Sequence, residues 1–235
     1  PILSMNHSYI CALSMHGNGG KAAVVYDLNW KRGNTIPLPE APTAWAFAPS
    51  EAMIAVATGT GVCELIPSVT RITPSPIVTP DPIRAIAYSP TGNFLLLTTE
   101  REYWIAKTST MELVGALPLA RQGPAAWLDD ARIAIVTGEG EPDSFLDLYT
   151  LSPDGMPTGA VERIASFGTP GRLENLSVSP FGDLVAGAVR IDSPVDFFQP
   201  NPPVYWQNAV QFFGVAAHGQ QRVTPVSWPQ FAWAP

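Results

Sequence analysis

Large apolar residues in this chain alternate with small or polar ones in short runs, and Pro, Gly, Asp or Asn interrupts almost every run. Period-two patterning predicts β-strands, because successive side chains of a strand point to opposite faces. Five runs share one form: Ala44-Trp45-Ala46-Phe47-Ala48-Pro49, Ala85-Ile86-Ala87-Tyr88-Ser89-Pro90, Pro124-Ala125-Ala126-Trp127-Leu128-Asp129, Asn175-Leu176-Ser177-Val178-Ser179-Pro180 and Gln230-Phe231-Ala232-Trp233-Ala234-Pro235. Each places a large apolar residue two positions before a Pro or Asp. Those residues are Phe47, Tyr88, Trp127, Val178 and Trp233, separated by 41, 39, 51 and 55 positions. Turns and second apolar strands follow the first four, at 53–57, 94–98, 133–137 and 184–189. Third strands are predicted at 62–66, 103–107, 145–151 and 210–215, and fainter fourth strands at 69–72, 113–117, 161–165 and 221–226.

Four short strands per repeat of roughly 40–50 residues is the pattern of a propeller blade. The turns Ser89-Pro90-Thr91-Gly92-Asn93 and Ser179-Pro180-Phe181-Gly182-Asp183 lie close to the Ser-Pro-Asp-Gly turn of bacterial propellers. Through these segments the chain resembles WD40-like β-propeller repeats over nearly its whole length. The Trp-Asp dipeptide and Gly-His pair of true members are absent. The resemblance therefore implies architecture and carries over no functional residue.

The chain ends suggest how a ring would close. Predicted strands at 9–13, 22–28 and 34–38 read as the second, third and fourth strands of a blade, while 231–235 reads as a lone first strand. Joined head to tail they make one blade, with 49 residues from Trp233 round to Phe47. The expected fold is an all-β, five-bladed propeller of four-stranded antiparallel blades, closed by the C-terminal strand. The blades are 8–38 plus 230–235, 43–73, 84–117, 124–166 and 174–226, in a single domain. A fragment of a longer propeller is the alternative.

Composition adjusts this picture in a few places. Charged residues make up 14% of the chain, which is low for a globular domain, and the net charge is −7. An acidic chain without Lys/Arg clusters argues against nucleic acid and anionic membrane surfaces as partners. No apolar run approaches a membrane span. Pro1-Ile2-Leu3-Ser4-Met5 shows no basic region followed by an apolar one, so no signal peptide is visible. Cytoplasmic synthesis with virion association is one expectation, a signal removed ahead of Pro1 is the alternative, and the localisation stays open. Cys11 and Cys63 lie in apolar strand-like runs and read as buried free thiols, with a disulfide or a reactive thiol as the alternative. Two cysteines and three histidines make no zinc pattern, and no cofactor is expected.

Candidate chemistry is sparse. Five-bladed propellers include glycosidases, which need two carboxylates beside the scissile bond. The predicted inner strands offer Glu174, with Arg84 and Arg172 nearby. That set reads as an ion-pair group at the channel mouth or as a site for a small anion. Nucleophile elbows and phosphate-cradling glycine loops are absent. Gly17-Asn18-Gly19-Gly20 reads as a hairpin tip. Gly138-Glu139-Gly140-Glu141-Pro142-Asp143 lacks the ligand alternation of a calcium loop and reads as a solvated hairpin. His7, His16 and His218 read as surface residues. One segment exceeds the background: 192–208 carries Phe197, Phe198, Tyr205 and Trp206 among four prolines. Long loops rich in aromatics serve as contact surfaces or lids.

These features point to a non-catalytic interaction or structural module in a larger assembly, for example a virion or tail accessory protein with protein partners. The alternative is a propeller that binds or processes carbohydrate, since aromatic faces stack on sugar rings and a glycan is then the partner.

Overall fold

The computed structural model describes residues 3–5, 9–14, 22–27, 32–49, 53–66, 71–118, 123–138, 144–167, 171–179, 183–191, 208–215 and 219–225. These residues form twenty strands in five four-stranded antiparallel sheets. The first sheet holds β1 (Leu3–Met5), β2 (Tyr9–Ser14), β3 (Ala22–Asp27) and β4 (Arg32–Pro37). The second holds β5 (Pro42–Phe47), β6 (Ile54–Thr58), β7 (Gly61–Ile66) and β8 (Arg71–Val78). The third holds β9 (Ala85–Tyr88), β10 (Phe94–Thr98), β11 (Glu102–Lys107) and β12 (Glu112–Pro118). The fourth holds β13 (Ala125–Asp129), β14 (Arg132–Thr137), β15 (Ser144–Leu151) and β16 (Pro157–Phe167). The fifth holds β17 (Gly171–Val178), β18 (Leu184–Ile191), β19 (Asn208–Gly214) and β20 (Gly219–Pro225). Strands follow one another across every sheet in chain order.

The chain divides into two compact units. The first comprises the first three sheets and residues 153–156, and the second comprises the fourth and fifth sheets. In the first unit the sheets meet through their initial strands: β1 touches β5, and β5 touches β9. In the second, β13 lies against β17.

Residue choice on the second strands explains this stacking. Every side chain of β6 is buried. Ile54 and Val56 pack with Val25, Ile36 and Leu65, while Ala55 and Ala57 pack with Leu95, Leu97 and Ile86 of the next sheet. A strand buried on both faces reads as a continuous apolar run, and Ile-Ala-Val-Ala and Phe-Leu-Leu-Leu are such runs. Small residues on one face of β6 make room for the leucines of β10. In the second unit Ala134, Val136, Leu146 and Leu148 pack with Val185 and Phe213. Each fully buried Leu, Ile or Phe contributes about 1.5–3 kcal/mol by leaving water.

The Ser-Pro turns work through their serine. Ser89 is fully buried; its N–H donates to Phe94 O at 2.8 Å, and its Oγ accepts from Phe94 N–H at 3.2 Å. Gly92 sits at φ +84°, a left-handed conformation that favours glycine. Ser179 repeats the pattern, accepting from Asp183 N–H at 3.3 Å.

The N-terminus differs from the expectation. Leu3, Ser4 and Met5 of β1 pair with Ala12, Cys11 and Ile10 of β2. The place beside β2, expected for the C-terminal strand, is thus filled by residues that were not predicted as a strand. Three residues are too few to show a period. Residues 230–235 lie outside the described residues. The fourth strands begin or end further out than the alternation suggested, most visibly β8. Pro74 and Pro76 interrupt its pattern, yet Cys63 still pairs with Pro74.

Candidate functional site

Thr58, Thr98 and Thr137 close the second strands of the second, third and fourth sheets. They pair with Gly61, Tyr103 and Phe145. Two residues further along the third strands the matching positions hold Cys63, Ile105 and Asp147. Their partners on the fourth strands are Pro74, Gly115 and Arg163. Two of the three sheets put apolar or weakly polar pairs here. The fourth sheet puts an ion pair in the same place.

Asp147 is 4% exposed. Leaving a carboxylate there without partners would cost several kcal/mol, roughly. It has three hydrogen bonds. Thr137 Oγ1 donates to Oδ2 at 2.7 Å, Arg163 Nε donates to Oδ1 at 2.9 Å, and Arg163 Nη2 donates to Oδ2 at 3.3 Å. The Arg163 guanidinium also lies 3.5 Å above the Phe145 ring centroid, a cation–π contact. Its hydrogen bond to Asp147 raises the Arg163 pKa, so the charge on the guanidinium is held firmly. Burial, and then the Asp147 carboxylate, raise the pKa of the nearby Tyr149 phenol. Alternation on β15 places Phe145, Asp147 and Tyr149 on one face, and Val161 pairs with Tyr149 across to β16.

The chemistry follows from which groups solvent reaches. Both oxygens of Asp147 accept hydrogen bonds from within the sheet, and the carboxylate itself is buried. Arg163 is 54% exposed and offers a cation of fixed orientation over Phe145, on the sheet face that also carries Tyr149 and Val161. Sequence reasoning passed over this group. An Asp inside Phe145-Leu146-Asp147-Leu148-Tyr149, at the register position of Ile105, was the signal.

Of the site residues singled out from sequence, Arg84, Arg172 and Glu174 are described. Arg84 lies just before β9, in the first unit, and forms an ion pair with Glu100 in the turn after β10. Arg101 and Asp81 make a second, looser pair at 3.9 Å on the same loops. Both pairs are largely exposed, where such contacts are worth little. Arg172 and Glu174 lie on β17, in the second unit. Arg172 pairs in register with Arg190, and Glu174 falls at the irregularity between Leu173 and Asn175. The carboxylate that pairs with Arg84 is Glu100, from its own sheet. Phe197, Phe198, Tyr205 and Trp206 lie outside the described residues, as do 139–143 and the three histidines.

Cys63 is buried and free. Burial raises its thiol pKa, which makes it a poor nucleophile. Among the described residues no cluster of His, Cys, Asp or Glu is arranged to hold a metal ion. Among them, too, no helix is long and apolar enough to cross a membrane.

No family model and no curated protein sequence matches this chain. Solved structures do. Hydrazine synthase from Kuenenia stuttgartiensis is similar with a TM-score of 0.66 and 16% identity, over 89% of this chain and 60% of that one. The dihydro-heme d1 dehydrogenase NirN, in complex with DHE, is similar with a TM-score of 0.63 and 13% identity, over 94% of this chain and 44% of that one. Both are β-propeller proteins. This chain has a β-propeller fold. The propeller spans less than two thirds of either structure it matches. At these identities the likeness shows fold alone.

The comparison corrects one expectation. The sequence was read as that of a non-catalytic protein, but both similar propellers are enzymes. Sparse nucleophiles and carboxylates had suggested binding alone. A propeller that belongs to a larger enzyme need not carry those groups on its own strands, so their scarcity does not argue against catalysis. A virion role finds no support among these structures.

Proposed function

We propose that this chain is the propeller part of a larger enzyme assembly and takes up a partner or ligand at the Arg163 patch of its fourth sheet. The five sheets are read as five blades of one propeller. The observation that carries the binding role is the Asp147–Arg163 pair, which stands at the register position where the second and third sheets have Cys63–Pro74 and Ile105–Gly115. Replacing a buried ion pair by apolar residues is often neutral or stabilising. Stability therefore does not account for a charge pair at a position that apolar residues fill elsewhere. The enzyme context is supported by two similar propellers that are portions of longer enzymes.

The test is to isolate the protein from its native source under mild conditions and measure its mass by light scattering, its components by mass spectrometry and its turnover of candidate substrates. The expected result is a particle heavier than the chain alone, with an enzymatic component or domain and measurable activity. A chain that emerges alone and inert would overturn the reading.

A further inference from the structure

We propose that the outward edge of Arg163 recognises a single carboxylate carried on an apolar body, such as an aromatic or branched acid or an acidic side chain flanked by apolar residues. The inference concerns the same patch as the proposed function but does not rest on the chain's being part of an enzyme.

A guanidinium has five N–H donors. Nε and one N–H of Nη2 are directed at Asp147, which leaves three. Those on Nη1 and the remaining one on Nη2 form the end-on fork that fits a carboxylate with two parallel hydrogen bonds. A free arginine loses side-chain entropy when it is fixed on a ligand. Here Asp147 on one side and the Phe145 ring on the other already fix it. Thr137 satisfies the carboxylate from the opposite strand, so Asp147 has no need to swing away from Arg163.

The surroundings select the rest of the ligand. Val161, two residues before Arg163 and on the same strand face, is 51% exposed. Tyr149, its register partner, is half-buried, and Phe145, also half-buried, lies under the guanidinium. Apolar residues on either side of one fixed cation along the sheet face suit an acid with an apolar body. The Asp147–Arg163 pair is neutral as a unit, and the chain carries a net charge of −7. Attraction therefore comes from the local fork, not from a long-range field, and multiply charged anions are disfavoured.

The probe is benzoate, followed through the Nε–H resonance of Arg163 in NMR titrations of the full chain. Saturable binding in the millimolar range is expected, with a shift at Arg163. Val161→Glu puts a competing carboxylate two residues from Arg163 on the same strand face, and leaves Asp147, Thr137 and Phe145 in place. It is expected to weaken benzoate at least about tenfold while leaving the melting temperature unchanged. Arg163→Lys keeps the charge but loses the fork, and is expected to weaken benzoate similarly. The inference is overturned by any of three results: no saturable shift, equal benzoate affinity in Val161→Glu, or benzyl alcohol or inorganic phosphate binding as tightly as benzoate.

Discussion

Gly155 lies against the ring of Phe94: a β-carbon added at Gly155 would stand 2.5 Å from Phe94 Cε1 and 3.0 Å from Val114 Cγ2. Gly155 also has φ +83°, where L side chains are strained. It sits at the tip of the β15–β16 hairpin, and its neighbour Asp154 approaches Lys107 Nζ at 3.7 Å. Gly155→Ala therefore meets a steric clash and backbone strain together. We expect a loss of about 2 kcal/mol or more in urea unfolding. A wild-type midpoint would mean that the tip is not held against Phe94.

The ion pair of the fourth sheet makes an asymmetric prediction. Arg163→Ala strands a buried carboxylate with Thr137 alone. Loss of about 2 kcal/mol is expected, below the roughly 3–5 kcal/mol of fully buried pairs because Arg163 is half exposed. The double variant Asp147→Ile with Arg163→Gly copies the Ile105–Gly115 pair of the third sheet. It should lie within about 1 kcal/mol of wild type in the same unfolding assay. A double variant as unstable as the single one would show that the pair holds the sheet together, and would remove the argument for binding.

Cys63 sets an alkaline limit. Burial foremost, and Glu40 to a smaller extent, raise its thiol pKa above the ordinary 9.0, against an opposing hydrogen bond with Thr58. A raised folded pKa contributes stability that is fully present below the unfolded value and is lost as pH rises through the folded one. Thermal stability should therefore decline above about pH 9, where the unfolded thiol ionises. Cys63→Ala should flatten that decline. Tyr149 acts in the same direction above its ordinary 10.0. A slope unchanged by Cys63→Ala would sink the assignment. At neutral pH the native thiol should react with Ellman's reagent far more slowly than the unfolded one.

Arg84 and Glu100 offer a contrast. Their pair is exposed on both sides. Arg84→Ala should leave the melting temperature within about a degree of wild type. A large drop would show that the pair locks the turn after β10 onto the start of β9.

Much of the architecture was legible from local pattern. Phe47, Tyr88, Trp127 and Val178 mark first strands, and the Ser-Pro-x-Gly turns mark where they end. Alternation is a property of the backbone itself, since a strand turns its side chains to opposite faces wherever it lies. The same logic hid the greater part of β8, where Pro74 and Pro76 break the alternation beyond the predicted 69–72, and the whole of β1, which is three residues long. The special character of Asp147 was not legible in this way. An isolated Asp in a strand reads as a solvent-facing residue.

By itself, then, the sequence determined an all-β repeat with its turns and its buried second strands. Only the tertiary structure decided that β1 completes the first sheet, that Arg84 meets Glu100, and that Asp147 is buried while it accepts from Thr137 and the exposed Arg163. Strand periodicity is local and survives without partners. Whether a carboxylate is buried, and which cation reaches it, depends on a register that pairs residues sixteen apart and on what covers the sheet face.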